Sequence, residues 1–223
     1  MNEYHFLRLR KRHHELEREI DRELSAPLPD SIRIMDLEHA VITSVNRDEL
    51  QDGGASIFAE TARQIRARSP KTRIEFLVPD LMGRRDAFDM IFAERPDIFN
   101  HNLETVPRLY SRVRPQAAYG RSLQILAWAK EVGLRTKSGM MLGLGEDLDE
   151  VREVMRDLRA IDCDILTLGQ YLRPSDKHHP IIRFVHPEEF TQRREEGMEM
   201  GFRHVESGPL VRSSYHAWAH VPR

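Results

Sequence analysis

Three short stretches of this 223-residue chain carry side chains able to grip a small polar ligand. In FNHNLETVPRLY, residues 99–110, Asn100, Asn102 and Glu104 alternate with apolar neighbours. Alternate residues of an extended chain point to one side. Two carboxamides and a carboxylate would therefore face one space, suited to bonding the hydroxyls and amine of a ligand. In VITSVNRDELQDGG, residues 41–54, an apolar strand runs into a polar loop with Thr43, Ser44, Asn46 and Asp48 and ends on Gly53 and Gly54. A glycine pair lets backbone approach a ligand closely, although alone it also reads as a turn. In TKSGMMLGLGE, residues 136–146, Gly139, Met141, Gly143 and Glu146 occupy a strand and the turn after it. Small residues there leave room for a flat ring beside the sheet. Other reactive types are less promising. Cys163, at the entrance of an apolar run, reads as a small buried packing residue. His178 and His179 fall in a solvated loop, and the adjacent His13 and His14 point to different sides of a helix.

The elements that must position these groups follow from the hydrophobic pattern. Short β-rich runs at 39–45, 73–78, 98–102, 135–142 and 164–170, with a weaker one at 202–205, alternate with amphipathic stretches. That is the pattern of βα units around a parallel sheet, hence an α/β fold whose strands read as near-continuous apolar runs. Phe88, Ile91 and Phe92 share a helical face, as do Val151, Val154, Met155 and Leu158. Pro187 followed by Glu188 and Glu189 predicts a helix start, running to about residue 200. Residues 1–26 differ in character, reading as a charged helix with a narrow stripe of Leu16, Ile20 and Leu24. The rest, 27–217, reads as one domain with a tail at 218–223.

Composition narrows the class further. Thirty-four Lys plus Arg against 36 Asp plus Glu give a formal charge of -2, no global field for nucleic acid or an anionic membrane. One cysteine excludes an internal disulfide framework. With no apolar run of about 18 residues and no leader-type apolar block, a cytoplasmic location is expected.

The blocks VITSVNRDELQDGGA, PDIFNHNLETVPRLYSRVRP, TKSGMMLGLGE, CDILTLGQYLRPS, PEEF and SGPLVRSSYHA occur in the order, and with roughly the spacing, found in lipoyl synthases, which this chain resembles over residues 28–217. Gly139, Met141, Gly143 and Glu146 resemble the GxIxGxxE pattern of radical S-adenosylmethionine (SAM) enzymes, with Met141 in place of isoleucine. The resemblance implies a partial (β/α) barrel of the radical SAM type. It also implies an enzyme that cleaves SAM at one 4Fe-4S cluster and takes sulfur from a second. Two sulfurs are then inserted at carbons 6 and 8 of an octanoyl group on a carrier-protein lysine. Such C–H bonds are beyond acid–base chemistry, so the cofactor carries the hard step and the protein positions it. Implied partners are an octanoylated carrier, either the E2 lipoyl domain of a dehydrogenase complex or the glycine-cleavage H protein, and a reducing ferredoxin or flavodoxin. Implied SAM-site residues are Gly53, Gly54, Asn102, Glu104, Gly139, Met141, Gly143 and Glu146. By its place in RSSY, Ser214 matches the family's catalytic serine ligand to the sulfur-donating cluster, and Ser213 is its neighbour.

The departure from the family is equally definite. Its members carry a CxxxxCxxxxxC and a CxxxCxxC triplet, and neither occurs here. The family-like sequence begins near Pro27, so the first barrel strand is expected to be missing and the clusters are not expected on this chain. Two readings follow: a lipoyl synthase by descent whose full-length form is the enzyme, or a cluster-free barrel that at most binds SAM or a carrier protein. A strand at 41–45 left on a sheet edge would be a template for self-association. After anaerobic iron–sulfide reconstitution the chain is expected to hold no stoichiometric cluster, because one thiol cannot supply either ligand set. Iron analysis tests this, and about four irons per chain with a stable absorption band near ~400 nm would overturn it.

Overall fold

Each apolar run becomes a strand and each amphipathic stretch between runs a helix that lies across the sheet. The computed structural model describes residues 28–215 and residue 217. The charged segment 1–26, with His13, His14 and the leucine–isoleucine stripe, and the tail 218–223 lie outside the described residues. The strands are β1 (His39–Thr43), β2 (Arg73–Leu77), β3 (Ile98–Asn100), β4 (Thr136–Leu142), β5 (Ile165–Gln170) and β6 (His204–Gly208). The helices are α1 (Leu28–Ile34), α2 (Ala55–Arg68), α3 (Arg85–Ala93), α4 (Tyr110–Val113), α5 (Tyr119–Glu131), α6 (Leu148–Ala160) and α7 (Pro187–Glu199). All strands pair in parallel in the order β1-β2-β3-β4-β5-β6, so β1 and β6 are edges of an open sheet among the described residues. This is a partial (β/α) barrel.

The outer face meets the helices. Phe76 and Phe99 stand there, with Phe58 of α2 edge-on to Phe76 at 5.1 Å and Phe92 of α3 edge-on to Phe99 at 5.1 Å. Val151, Val154, Met155 and Leu158 of α6 are all buried, as their spacing predicts. Asp147 and Glu150 cap that helix reciprocally, each side chain accepting from the other's backbone N–H. At α7, Pro187 and two glutamates supply the start that the sequence predicts. Three strands differ from expectation by two residues or more, and the first, β1, stops at Thr43 rather than at 45. β3 stops at Asn100, and the chain then bends away until Glu104 bridges to Met140. β6 starts at His204 and runs on through polar residues to Gly208, because its register with β5 continues from Ile165↔His204 to Gly169↔Gly208.

A larger difference lies on the inner face. The strands were expected to be near-continuously apolar, yet the register places His39, Glu75, Asn100, Lys137 and Glu206 on the concave side. The Lys137 ammonium donates to Glu75 Oε1 at 2.8 Å, both side chains fully buried, and Asn100 Nδ2 donates to the same oxygen at 2.9 Å. His39 Nε2 lies 3.3 Å from Glu75 Oε2. Burial pushes Glu75 up, but His39, Lys137 and Asn100 outweigh it and hold the carboxyl below its ordinary value. Burial pulls the Lys137 ammonium down, against the attraction of Glu75. Lys137→Met should leave Glu75 buried without its cation and cost about 3–5 kcal/mol, measured by urea unfolding. Glu75→Leu combined with Lys137→Met should recover most of that loss. A depressed folded-state value also means that the unfolded chain takes up the proton first. The contribution of Glu75 is therefore present above the ordinary carboxylate range and lost as pH falls through its folded value.

Candidate functional site

In a sheet of parallel strands the loops that follow the strands gather at one end, where ligands of α/β barrels bind. A cavity of about 360 Å³ opens there, lined by Leu77, Asn102, Glu104, Gly139, Met140, Met141, Thr167, Gly169, Gln170, Leu172, Val211, Arg212 and Ser213. That volume is within the ordinary range for small-molecule sites.

Asn102 is its centre. Its amide nitrogen donates to Glu104 Oε1 at 3.0 Å and to Ser213 Oγ at 2.9 Å, which uses both amide hydrogens. Its Oδ1 is buried and has no partner. A buried acceptor left unpaired is costly, so this oxygen is poised for a donor on a ligand. Burial pushes the Glu104 carboxyl up, against Asn102 and Arg114. Glu104 also sits at φ 66, held by its N–H on the Gly139 carbonyl at 2.9 Å and its carbonyl on the Met141 N–H at 2.8 Å. Gly139 forms the floor. A Cβ there would stand 2.6 Å from Thr167 Oγ1 and 2.9 Å from Asn102 Oδ1, so only glycine leaves the amide in place.

The structure thus brings Asn102, Glu104, Gly139 and Met141 into one cavity. The other predicted residues shape the loops around it. Gly143, at φ 97, lies against the Arg183 carbonyl and Gln170 Nε2, each 2.4 Å from where a Cβ would be, and so joins the loops after β4 and β5. Glu146 accepts from the N–H groups of Gly143 at 2.7 Å and Leu144 at 2.9 Å. Gly54, at φ 92, begins α2, and Gly53 rests on Leu81. Asp52 accepts from the Gly54 and Ser56 N–H groups, and hydrogen bonding led by Ser56 brings its carboxyl down to about 2. Thr43 and Ser44 line a smaller hollow of about 180 Å³ beside Asn102, and Asn46 and Asp48 line another of about 520 Å³ with Asp80 and Arg121. Ser214 is exposed on the turn next to the cavity, where its carbonyl accepts from Ala217 N–H, while Ser213 turns its hydroxyl inward. His178 is exposed as expected. His179 is not simply solvated, since its ring bonds the Leu144 carbonyl at 2.8 Å and its own carbonyl accepts from Tyr171 OH.

Several supporting residues escaped the sequence reading. The Lys137 ammonium also donates to the Ser213 carbonyl at 2.5 Å, tying the turn after β6 to β4. His101 is buried between the Val78 carbonyl at 2.8 Å and Ser122 Oγ at 3.0 Å, and burial brings its ring down to about 4. It is therefore neutral, with Nδ1–H donating to Val78 and Nε2 accepting from Ser122. The HN pair in FNHNLE was the available signal, but only the loop geometry shows that the ring turns away from the ligand side.

Iron–sulfur ligation does not fit these residues. Cys163 is buried at the start of β5, the end of the sheet away from the cavity, and burial pushes its thiol up to about 12. Cluster ligands are thiolates. Among the described residues no group of three His, Cys, Asp or Glu side chains could hold a metal ion.

An open parallel barrel with a polar cavity at its carboxyl end defines a class. Residues 10–158 match the family model of the radical SAM superfamily, and the chain belongs to it. It is 58% identical over 201 residues to the lipoyl synthase of Rubrobacter xylanophilus, covering 89% of this chain and 63% of that protein. It is 53% identical over 203 residues to the lipoyl synthase of Chlorobaculum parvum, covering 91% of this chain and 70% of that protein. Within the superfamily the chain is a member of the lipoyl synthase family, and it spans about two thirds of the length of these relatives. Streptococcus suis SuiB bound to precursor peptide SuiA is similar in fold, with a TM-score of 0.61 at 10% identity, covering 86% of this chain and 45% of that one.

The turn 211–215 closes one side of the cavity, and Gly169 receives it. A Cβ on Gly169 would lie 2.3 Å from the Val211 carbonyl oxygen, a backbone atom that cannot swing aside. Gly169→Ala should therefore push the turn off the sheet, costing roughly 1–3 kcal/mol. Hydrogen exchange at 211–215 would rise above that of the parent, and unchanged protection there would contradict this.

Proposed function

We propose that this chain supplies the SAM-binding and substrate-facing wall of a lipoyl synthase, the enzyme that inserts two sulfurs at carbons 6 and 8 of a protein-bound octanoyl group. The observation that carries this reading is the unpartnered Asn102 Oδ1 beside the part-buried Glu104 carboxyl, in a chain 58% identical to a lipoyl synthase. SAM brings an amine, hydroxyls and a flat adenine. When bound, it would supply the carbon-centred radical precursor that unactivated C–H bonds demand. Asn102 Oδ1 would accept from a donor of the ligand, Glu104 would face its ammonium, and the side-chain-free Gly139 would let the ligand lie against β4. Gly53, Gly54, Gly143 and Glu146 would act one step back, by fixing the loops. Ser214 would present a hydroxyl at the rim, beside the inward Ser213.

These 223 residues hold a single cysteine, the buried Cys163. That observation favours a second reading, a cluster-free protein that binds SAM or a carrier without turning over. Octanoylated carriers, the E2 lipoyl domain or the H protein, and a reducing ferredoxin or flavodoxin belong to the first reading. A cytoplasmic location belongs to both. No helix among the described residues is long and apolar enough to cross a membrane.

Titration calorimetry with SAM tests the site. Because burial raises Glu104, a cationic ligand is expected to bind more tightly as pH rises through and above the ordinary carboxylate range, where Glu104 ionises. Glu104→Gln should weaken binding about tenfold and flatten that dependence, the loss of one hydrogen bond to a charged group. Affinity and pH profile indifferent to Glu104→Gln would remove SAM from this cavity.

A further inference from the structure

The carboxamide of Asn102 has two ends that are nearly alike in shape and opposite in chemistry, one donating and one accepting. Which end meets a ligand depends on what holds the other. Oδ1 stands over Gly139, 2.9 Å from where a Cβ of that residue would lie, and is buried without a partner. Nδ2 gives one hydrogen to Glu104 Oε1 at 3.0 Å and the other to Ser213 Oγ at 2.9 Å. An ionised carboxylate only accepts, whereas a hydroxyl can accept or donate. Glu104 therefore dictates the sense of the amide, and Ser213 follows it by taking the hydrogen that Glu104 leaves. Rolled over, the amide would set Oδ1 against the Glu104 carboxylate, acceptor against acceptor.

The two acceptors differ in where they come from. Glu104 lies two residues along the same bend of chain as Asn102 and moves with it. Ser213 is 111 residues away in sequence, on a turn that is seated by contacts of its own. Its carbonyl accepts from the buried Lys137 ammonium at 2.5 Å. Just before it, the buried Val211 lays its carbonyl against Gly169, which has no Cβ to meet it, and that carbonyl accepts from Arg212 Nη1 at 2.7 Å. The turn thus brings an anchored hydroxyl to an amide that its own loop holds by a single hydrogen.

We propose that Ser213 is a positioning residue for this cavity: by holding the second amide hydrogen of Asn102 it keeps Oδ1 turned to the ligand, so that the cavity selects groups that donate, an ammonium or an amino group, over groups that only accept. The inference rests on the reading of the cavity as a SAM site and adds what sets its selectivity. It gives the first serine of RSSY a task distinct from that of the exposed Ser214. The turn after β6 is then part of the recognition apparatus, although its serine meets the ligand only through Asn102.

The test uses the full chain. Without any ligand, the two side-chain amide hydrogens of Asn102 should exchange with solvent far more slowly than those of the exposed Asn46, read by NMR. Ser213→Ala should speed that exchange at Asn102 and leave Asn46 as it was. By calorimetry, Ser213→Ala should weaken SAM about fivefold to tenfold, the worth of one hydrogen bond. In an Asn102→Ala background the same change should weaken SAM no further, because the group that Ser213 positions is gone. A merely structural Ser213 would cost the same in both backgrounds and leave the Asn102 hydrogens unmoved. The proposal is overturned if Ser213→Ala binds SAM as tightly as the parent, if its cost persists undiminished without the Asn102 amide, or if the Asn102 hydrogens of the parent exchange as fast as those of Asn46. A parent that binds no SAM sinks the functional reading instead, and the role of Ser213 is then decided by amide exchange in the parent and in Ser213→Ala.

Discussion

A carboxylate stripped of water in the middle of a sheet must be given cations and donors, and Glu75 imposes that requirement on everything around it. Three strands answer directly: His39 from β1, Asn100 from β3 and Lys137 from β4. Lys137 then spends another hydrogen on the Ser213 carbonyl, so the network that satisfies Glu75 also fixes the turn after β6. A buried ion pair contributes little net stability, but it tolerates few alternative arrangements. Here it ties β1, β2, β3, β4 and the carboxyl-terminal turn to one another.

The cavity is built on top of that network. Asn102 lies just past the end of β3, Gly139 follows Lys137 by one pleat of β4, and Ser213 is held by Lys137 through its carbonyl and by Asn102 through its hydroxyl. Apolar packing on the outer face and ionic packing on the inner face divide the work: one supplies most of the stability, the other the geometry. The described residues bring no thiolate to this arrangement, Cys163 being buried at the other end of β5.

Most of the fold could be read from the sequence because parallel sheets write a clear pattern: short β-branched runs, each followed by a three-and-four apolar stripe. Hence α6 and α7 appear where Val151 and Pro187 place them. The inner face was harder. Glu75 and Lys137 are single charges inside apolar runs, 62 residues apart, and nothing in either run says that they meet. For the cavity, the alternation of Asn100, Asn102 and Glu104 held only in part: β3 ends at Asn100, which joins the Glu75 network, and Glu104 reaches the cavity through a bend at φ 66, while Gly139 forms the floor. Gly143 and Glu146 carry an equally good motif yet serve the neighbouring loop, because positive φ and close backbone contact are properties of a folded turn and leave no separate mark in composition. The difference between Ser213 and Ser214 is of the same kind, a matter of which way one turn rolls.

Cys163 gives the molecule an internal clock. With its thiol sealed behind β5 and held protonated, the only sulfhydryl of the chain is invisible to alkylating reagents while the sheet is closed. Its modification must wait for the segment at the start of β5 to open, so the rate of labelling counts openings of that end of the sheet. Any cysteine introduced at the mouth would react without competition from the native one, against a background as silent as that of a chain with no sulfhydryl at all.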